Sequence, residues 1–283
     1  MVKRCRVGLI LAILLGVASA ADVDIVAQPQ PVQDIPGRIN PLIARLEQGG
    51  IADSEVWTLV DMEHNPYDIT QLRATLDGFA AKRKPDGMLE KAPIVRVPMY
   101  GHEPSGWAAL QVLDIGALGV IFQSIETKQA ALSAIRSMRF PPQKGAKAPV
   151  EPRGFRSGGP RGGKTLPLSV SDLLRRADVW PLNPEGELFS MIMIETIEGV
   201  KNATDILSVP GIGSVLVGPF DLSLSLGEGP PAPGATPYAP SVEAAFATVA
   251  KACAARKVIC GIAAAGGPEY RKKLIGMGYR IFN

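Results

Sequence analysis

Polar residues that end or interrupt apolar runs are the first candidates for chemistry in this 283-residue chain. Asp61, Glu63 and His64 crowd into DMEHNPYD directly behind an apolar run. Arg96 stands within PIVRVP, Gln123, Ser124 and Glu126 follow GVIF, Glu195 ends MIMIE, and Asp221 lies in VGPFDLSLSLG. Two carboxylates offered from neighbouring strands suit a hard divalent cation such as Mg²⁺, Mn²⁺ or Co²⁺, which keeps waters and takes few protein oxygens. Positions left open on such an ion accept a bidentate keto acid, whose oxygen it polarises. Arg96 suits a carboxylate or a developing oxyanion. His64 is the natural proton carrier, because only His titrates near neutrality without perturbation. Each residue also has a plainer reading. Glu195 and Asp221 are both reasonable helix caps, Arg96 has Asp114 as an alternative ion-pair partner, and His102 reads as a solvated or capping loop residue. Spacing alone leaves these alternatives open.

The elements that must position these residues follow a βα rhythm. Short apolar runs at Val56–Val60, Ile94–Val97, Gly119–Phe122, Met191–Ile194, Ser214–Val217, Val258–Ile262 and Tyr279–Phe282 read as strands. Amphipathic stretches near Thr70–Lys84, Pro104–Ile115, Lys128–Met138, Glu198–Ser208, Ser241–Arg256 and Pro268–Met277 read as the helices between them. Continuous apolar strands alternating with helices imply a parallel sheet covered on both faces. The fold class expected is therefore α/β, a TIM (β/α)8-type barrel in preference to an open doubly wound sheet. In a barrel the polar residues above fall at the C-terminal ends of strands, where such folds carry their sites. Residues 21–40 read as an irregular lead-in, PLIARLEQ as a helix closed by Gly49-Gly50, and 41–283 as a single barrel domain. An insertion near 141–188, opening with the Gly-, Pro- and basic-rich PPQKGAKAPVEPRGFRSGGPRGGK, interrupts the rhythm. It reads either as a lid or oligomer contact, or as a solvated loop.

Lys3, Arg4 and Arg6 precede the apolar Val7–Val17, and Ala18-Ser19-Ala20 follows. That pattern is a secretory signal peptide, cut after about Ala20, whose apolar part is too short for a stable membrane span. An exported, periplasmic or secreted protein is expected. The three basic groups of this segment account for the whole formal charge of +3. The remainder is near neutral, which argues against a nucleic-acid-binding surface. Cys5 leaves with the signal. Cys253 and Cys260, in a helix and a strand by their context, read as two buried thiols in preference to a bridge.

The motifs together resemble a known family: the pyruvate-forming class II aldolases of the HpcH/HpaI type, which include 4-hydroxy-2-oxo-heptane-1,7-dioate aldolases and citrate lyase β-subunit relatives. The resemblance runs in order through residues 57–282, from WTLVDMEHNPYD and PIVRVP to MIMIETIEGVKNATDILSVPGIGSVLVGPFDLSLSLG. It implies that Glu195 and Asp221 bind a divalent metal and that Arg96 contacts the keto acid and its enolate oxygen. It implies that His64 handles protons, with Asp61 and Asp114 orienting or charging it. Backbone N–H groups around Pro219, Phe220 and Asp221 would receive the pyruvate carboxylate. The implied reaction is reversible cleavage of a 4-hydroxy-2-keto acid into pyruvate and an aldehyde through a metal-bound enolate, in a homo-oligomer. Alternatives are an oxaloacetate decarboxylase or acyl-CoA lyase type of carbon–carbon lyase, or an exported keto-acid-binding protein without turnover. Against the family pattern, the first βα unit and the final helix are absent, Met193 replaces a common Gln, and Arg153, Arg156 and Arg161 compete as equivalents of one arginine.

Overall fold

The strand Trp57–Asp61 (β1) is followed by the helix Ile69–Ala80 (α2), which Asp68 caps by accepting from the backbone N–H of Thr70 and Gln71. The preceding helix, Pro41–Glu47 (α1), is capped in the same way by Asn40 and starts with a proline that has no N–H to lose. The computed structural model describes residues 32–98, 106–145, 147–157, 161–263 and 266–283, all within the compact unit Pro31–Asn283. The signal-peptide segment, residues 21–31 of the lead-in and His102 lie outside the described residues.

The βα alternation continues with Ala92–Arg96 (β2), Gly106–Asp114 (α3), Gly119–Phe122 (β3) and Lys128–Met138 (α4). After the insertion, which holds the helix Val170–Arg176 (α5) and the two-residue strand Val179–Trp180 (β4), come Leu188–Ile194 (β5), Ile197–Lys201 (α6) and Ala203–Ile206 (α7). The chain ends with Ser214–Val217 (β6), Pro219–Ser225 (α8), Pro240–Arg256 (α9), Ile259–Ile262 (β7), Pro268–Gly276 (α10) and Tyr279–Phe282 (β8). All eight strands pair in parallel, in the order β1-β2-β3-β5-β6-β7-β8 with β4 beside β5. Every residue of β3, β5 and β6 is buried, as a parallel sheet covered on both faces requires. The one hydroxyl in β5, Ser190, is tolerated because it donates to Gly211 O at 2.7 Å and accepts from Gly213 N at 2.9 Å.

The sheet curls into a partial barrel, in keeping with the expected fold. Its two ends meet at one residue. Ala52 N donates to Arg280 O and Phe282 N donates to Ala52 O, each at 2.9 Å. The short segment ahead of β1 thus makes a single parallel bridge to β8. That bridge gives an edge that would otherwise offer unpaired backbone groups a partner at its centre.

The described residues of the insertion pack against the N-terminal side of the strands. It leaves α4 and re-enters the sheet at β5, so both of its ends lie at the N-terminal side. Thr165 Oγ1 donates to Gly116 O at 2.7 Å, Arg83 donates to the carbonyls of Lys164 and Thr165, and Arg139 pairs with Asp178 at 2.7 Å. In place of a lid, the described residues form a packed floor in which Arg156 and Arg176 are buried, with Arg139 buried at the end of α4 beside it. No helix among the described residues is long and apolar enough to cross a membrane.

Candidate active site

The register places Asp61 opposite Arg96, and Arg96 opposite Ile121, so the ends of β1, β2 and β3 align. Arg96 Nε donates to Asp61 Oδ1 at 2.9 Å and Nη2 to Asp61 Oδ2, a two-pronged pair, while Nη1 lies 3.1 Å from Glu63 Oε2. Burial alone would lower the Arg96 pKa, but its bonds and charges from Asp61 and Glu63 outweigh that and hold it raised. Burial likewise pushes Asp61 up, but Arg96 and the Glu63 N–H outweigh it and hold the carboxyl below its ordinary range. Glu63 is the hub of the cluster. Its Oε2 also accepts from Gln123 Nε2 at 2.6 Å and stands 3.2 Å from His64 Nε2. Burial moves the Glu63 pKa upward against the pull of Arg96 and His64.

Glu195 ends β5 and is 3% exposed, which for a carboxylate demands partners. Ser124 supplies them, its N–H at 2.9 Å and its hydroxyl at 2.8 Å, both to Oε1. Ser124 reaches this position with a φ of 45°, in the left-handed region that non-glycine residues seldom occupy. The carboxyl is nonetheless pushed up to about 7, first by burial and then by the charges of Asp221 and Glu63, against the Ser124 bonds. Glu195 is not a helix cap: Thr196 accepts from Gly199 N at 3.0 Å and caps α6. Nor is Asp221, since Gly218 occupies the N-cap position of α8 and Asp221 lies in the first turn, exposed to solvent. The backbone N–H groups opening α8 carry no side-chain cap.

Two expectations from the sequence change. Asp114 closes α3 just ahead of β3, at the opposite end of the strands from Asp61 and Arg96, and pairs with Arg156 at 2.7 Å. It therefore neither orients His64 nor competes for Arg96, and Arg156, 42 residues along, is the partner. His64 does not receive an imidazole bond from Asp61, whose carboxylate is committed to Arg96. Asp61 accepts only the His64 backbone N–H, at 3.5 Å, and Glu63 faces the ring instead. Gln123 and Ser124 were candidates by position without an assigned role, and Gly218 is a position whose importance the sequence did not mark.

The donors present fit a hard divalent cation. Among the described residues no group of three or more His, Cys, Asp or Glu stands at ligating spacing. The pair Glu195 and Asp221 would instead suit, as a small carboxylate set, an ion that retains water. Burial first, and the charges of Asp221 and Glu63 after it, raise the Glu195 pKa, a setting that a cation would relieve, and Gly218 leaves room beside it. A β-carbon at 218 would stand 2.5 Å from Glu195 Oε2 and 2.8 Å from Met193 Cε. Gly218→Ala is accordingly expected to turn Glu195 aside and weaken Mn²⁺ binding by at least about tenfold, the scale of a disturbed ligand support. Titration of Mn²⁺ by electron paramagnetic resonance checks this; unchanged affinity would mean that Oε2 does not face the ion.

Residues 48–269 match the family model described as HpcH/HpaI aldolase/citrate lyase. The chain is 30% identical over 206 residues to the hydroxypyruvate/pyruvate aldolase of Paraburkholderia phytofirmans, covering 73% of this chain and 69% of that protein. It is 28% identical over 196 residues to the 4-hydroxy-2-oxo-heptane-1,7-dioate aldolase of Klebsiella pneumoniae, covering 67% of this chain and 60% of the relative. The match to the hydroxypyruvate/pyruvate aldolase of Roseobacter denitrificans spans only 56% of that relative's length. The crystal structure of an HpcH/HpaI aldolase/citrate lyase family protein from Burkholderia cenocepacia superposes with a TM-score of 0.63 at 30% identity, covering 80% of this chain and 77% of that one. The HpcH/HpaI aldolase of Desulfitobacterium hafniense, at 19% identity and a TM-score of 0.64, shares the fold over 85% of this chain and 88% of its own. A family-model match over residues 48–269, with a relative 30% identical over 73% of the chain, places this protein in the HpcH/HpaI aldolase/citrate lyase family.

Proposed function

We propose that this protein is a carbon–carbon lyase that reversibly cleaves a 4-hydroxy-2-keto acid into pyruvate and an aldehyde, with a divalent metal held by Glu195 and Asp221. The observation that carries the reading is the buried Glu195, whose carboxyl is pushed up to about 7 beside Asp221 and Glu63 at the strand ends. The relatives named as pyruvate aldolases support it. A divalent ion, when bound, draws electron density from the keto oxygen and so acidifies the carbon next to it. Arg96, kept charged and fixed by Asp61 and Glu63, is placed to meet the negative charge that develops on that oxygen. The N–H groups of Phe220 and Asp221, uncapped at the start of α8, receive the substrate carboxylate. His64, with its side chain 65% exposed and its Nε2 facing Glu63, moves the proton between substrate and solvent.

The test is proton exchange at the methyl group of pyruvate in deuterated water, followed by NMR with Mg²⁺, with Mn²⁺ and with chelator. Exchange that needs the metal is the expected result. Pyruvate that binds without exchanging would replace the lyase reading with that of a keto-acid-binding protein.

A further inference from the structure

Cys253 and Cys260 have no part in the chemistry above, yet the fold brings them together. Cys253 lies in the last turn of α9 and Cys260 in β7, and their Sγ atoms stand 2.8 Å apart. That is closer than non-bonded heavy atoms settle. The approach is built by the connection. Lys257 adopts the left-handed conformation with φ 56°, and Val258 N donates to Cys253 O at 3.0 Å, so the chain reverses and lays β7 back along α9. Both thiols are buried, at 3% and 2% exposure. The Tyr279 hydroxyl donates to Phe246 O at 3.1 Å and also lies in hydrogen-bond contact with the Cys260 sulfur. No third ligating residue joins the pair to make a metal site among the described residues. What remains for the two sulfurs is chemistry with each other.

We propose that Cys253 and Cys260 are a disulfide-forming pair, oxidised to a bond between α9 and β7 as the chain folds in an oxidising environment. The oxidant is a disulfide, either a small molecule such as oxidised glutathione or the active-site disulfide of an oxidoreductase. One cysteine thiolate attacks a donor sulfur and expels the first donor thiolate. The second cysteine then attacks the mixed disulfide and expels the other. The donor leaves as two thiols carrying the two protons and the two electrons. Burial pushes the Cys260 thiol well up, so exchange is slow once α9 is packed, and the bond belongs to folding. The strand that carries Cys260 lies next to the one that leads to Gly218. β7 pairs with β6, and Ala263 N donates to Val217 O at 2.9 Å, one residue before Gly218.

The experiment is to produce the full chain in an oxidising and in a reducing compartment, block free thiols under denaturing conditions and digest with trypsin. Cleavage at Lys251, Arg256, Lys257 and Arg271 separates the two cysteines. The expected result from the oxidising compartment is a single species joining fragments 252–256 and 258–271, which reductant splits. Reduction is expected to lower the Tm by about 5 °C, the scale for a short closed loop in a domain of this size. Recovery of both fragments as blocked thiols from the oxidising compartment overturns the proposal, as does a bond from either cysteine to Cys5. Cys253→Ala and Cys260→Ala are each expected to remove the effect of reductant on Tm. If either variant does not fold, the fragment map of the unaltered chain decides alone.

Discussion

Glu195→Gln is expected to abolish metal-dependent exchange of pyruvate protons, with a loss in kcat/KM of at least about 10²-fold, more than disturbing a ligand's support alone would cost. The variant keeps the shape and the Ser124 bonds, because a Gln Oε1 accepts from the same N–H and hydroxyl. What it loses is the charge that, in the proposed function, holds the ion. The same substitution is expected to stabilise the metal-free protein, and the sign follows from proton binding. The Glu195 carboxyl titrates at about 7 in the folded chain against an ordinary value of 4.5. Between these values the native state holds a proton that the unfolded chain has released, so stability falls as pH rises through that window. The stability is fully present below the unfolded pKa and lost above about pH 7. Gln carries no such penalty. In chelator at pH 8 the variant is expected to exceed the unaltered protein by on the order of 2–3 kcal/mol, converging with it at pH 4–5. Thermal unfolding at the two pH values checks this, and an equal Tm at both would refute the assignment of Glu195 as an uncompensated buried acid. Such a pattern is a functional group kept at the expense of stability. If Glu195 holds the ion as proposed, proton and metal compete for one carboxylate, and divalent-ion affinity is expected to rise with pH up to about 7 and then level.

How much of this was legible depends on the range of each interaction. The apolar runs at Gly119–Phe122 and Ser214–Val217 coincide with β3 and β6, because a strand buried on both faces writes its bounds into a local pattern. The helix expected over Glu198–Ser208 is instead two, α6 and α7. Asn202 turns at the junction with ψ 3° and donates to Glu126 O at 2.8 Å, a contact 76 residues distant that no helical periodicity carries. The insertion was the least legible part. Its Gly, Pro and Arg content looks like solvated loop, and only pairing with distant carboxylates makes its arginines suited to burial. Asp114 illustrates the same limit. Its carboxylate was visible, but its partner, Arg156, lies across a segment that local reading left open. The carboxylates Glu195 and Asp221 stood out because the motifs around them, MIMIET and VGPFDLSLSLG, are specific. What the sequence left unmarked was the support beneath them: the Ser124 grip on Glu195 and the space that Gly218 leaves beside Oε2.

The largest stability effect is expected far from that site, at Glu187. This residue opens the turn into β5, is 1% exposed, and ties three segments to one carboxylate. Oε1 accepts from Arg176 Nη2 at 2.8 Å, while Oε2 accepts the backbone N–H of Ile39 at 3.1 Å and of Asn40 at 2.9 Å. Asn40 in turn donates its amide to Glu187 O and Leu118 O and caps α1, so the lead-in, α1, α5 and two strands share one knot. Arg176 also binds the carbonyls of Ile35 and Gly37, and is itself 6% exposed. Burial pushes the Glu187 pKa up even against Arg176 and these N–H groups, so the charge is held at a cost and depends on its partners. Glu187→Ala leaves a buried guanidinium and two backbone N–H groups without their acceptor. The expected loss is about 3–5 kcal/mol, seen as a Tm lower by roughly 10 °C. Glu187→Gln, which keeps an acceptor but not the charge, is expected to lose less. Removing both charges with Arg176→Met and Glu187→Leu is expected to recover most of the loss, because the pair's desolvation disappears with it. Metal affinity measured below the Tm is expected to stay unchanged in all three, since the knot lies at the opposite end of the strands from Glu195. A Glu187→Ala protein that unfolds within about 1 kcal/mol of the unaltered chain would show that solvent reaches Arg176 and that the lead-in is not locked by this carboxylate.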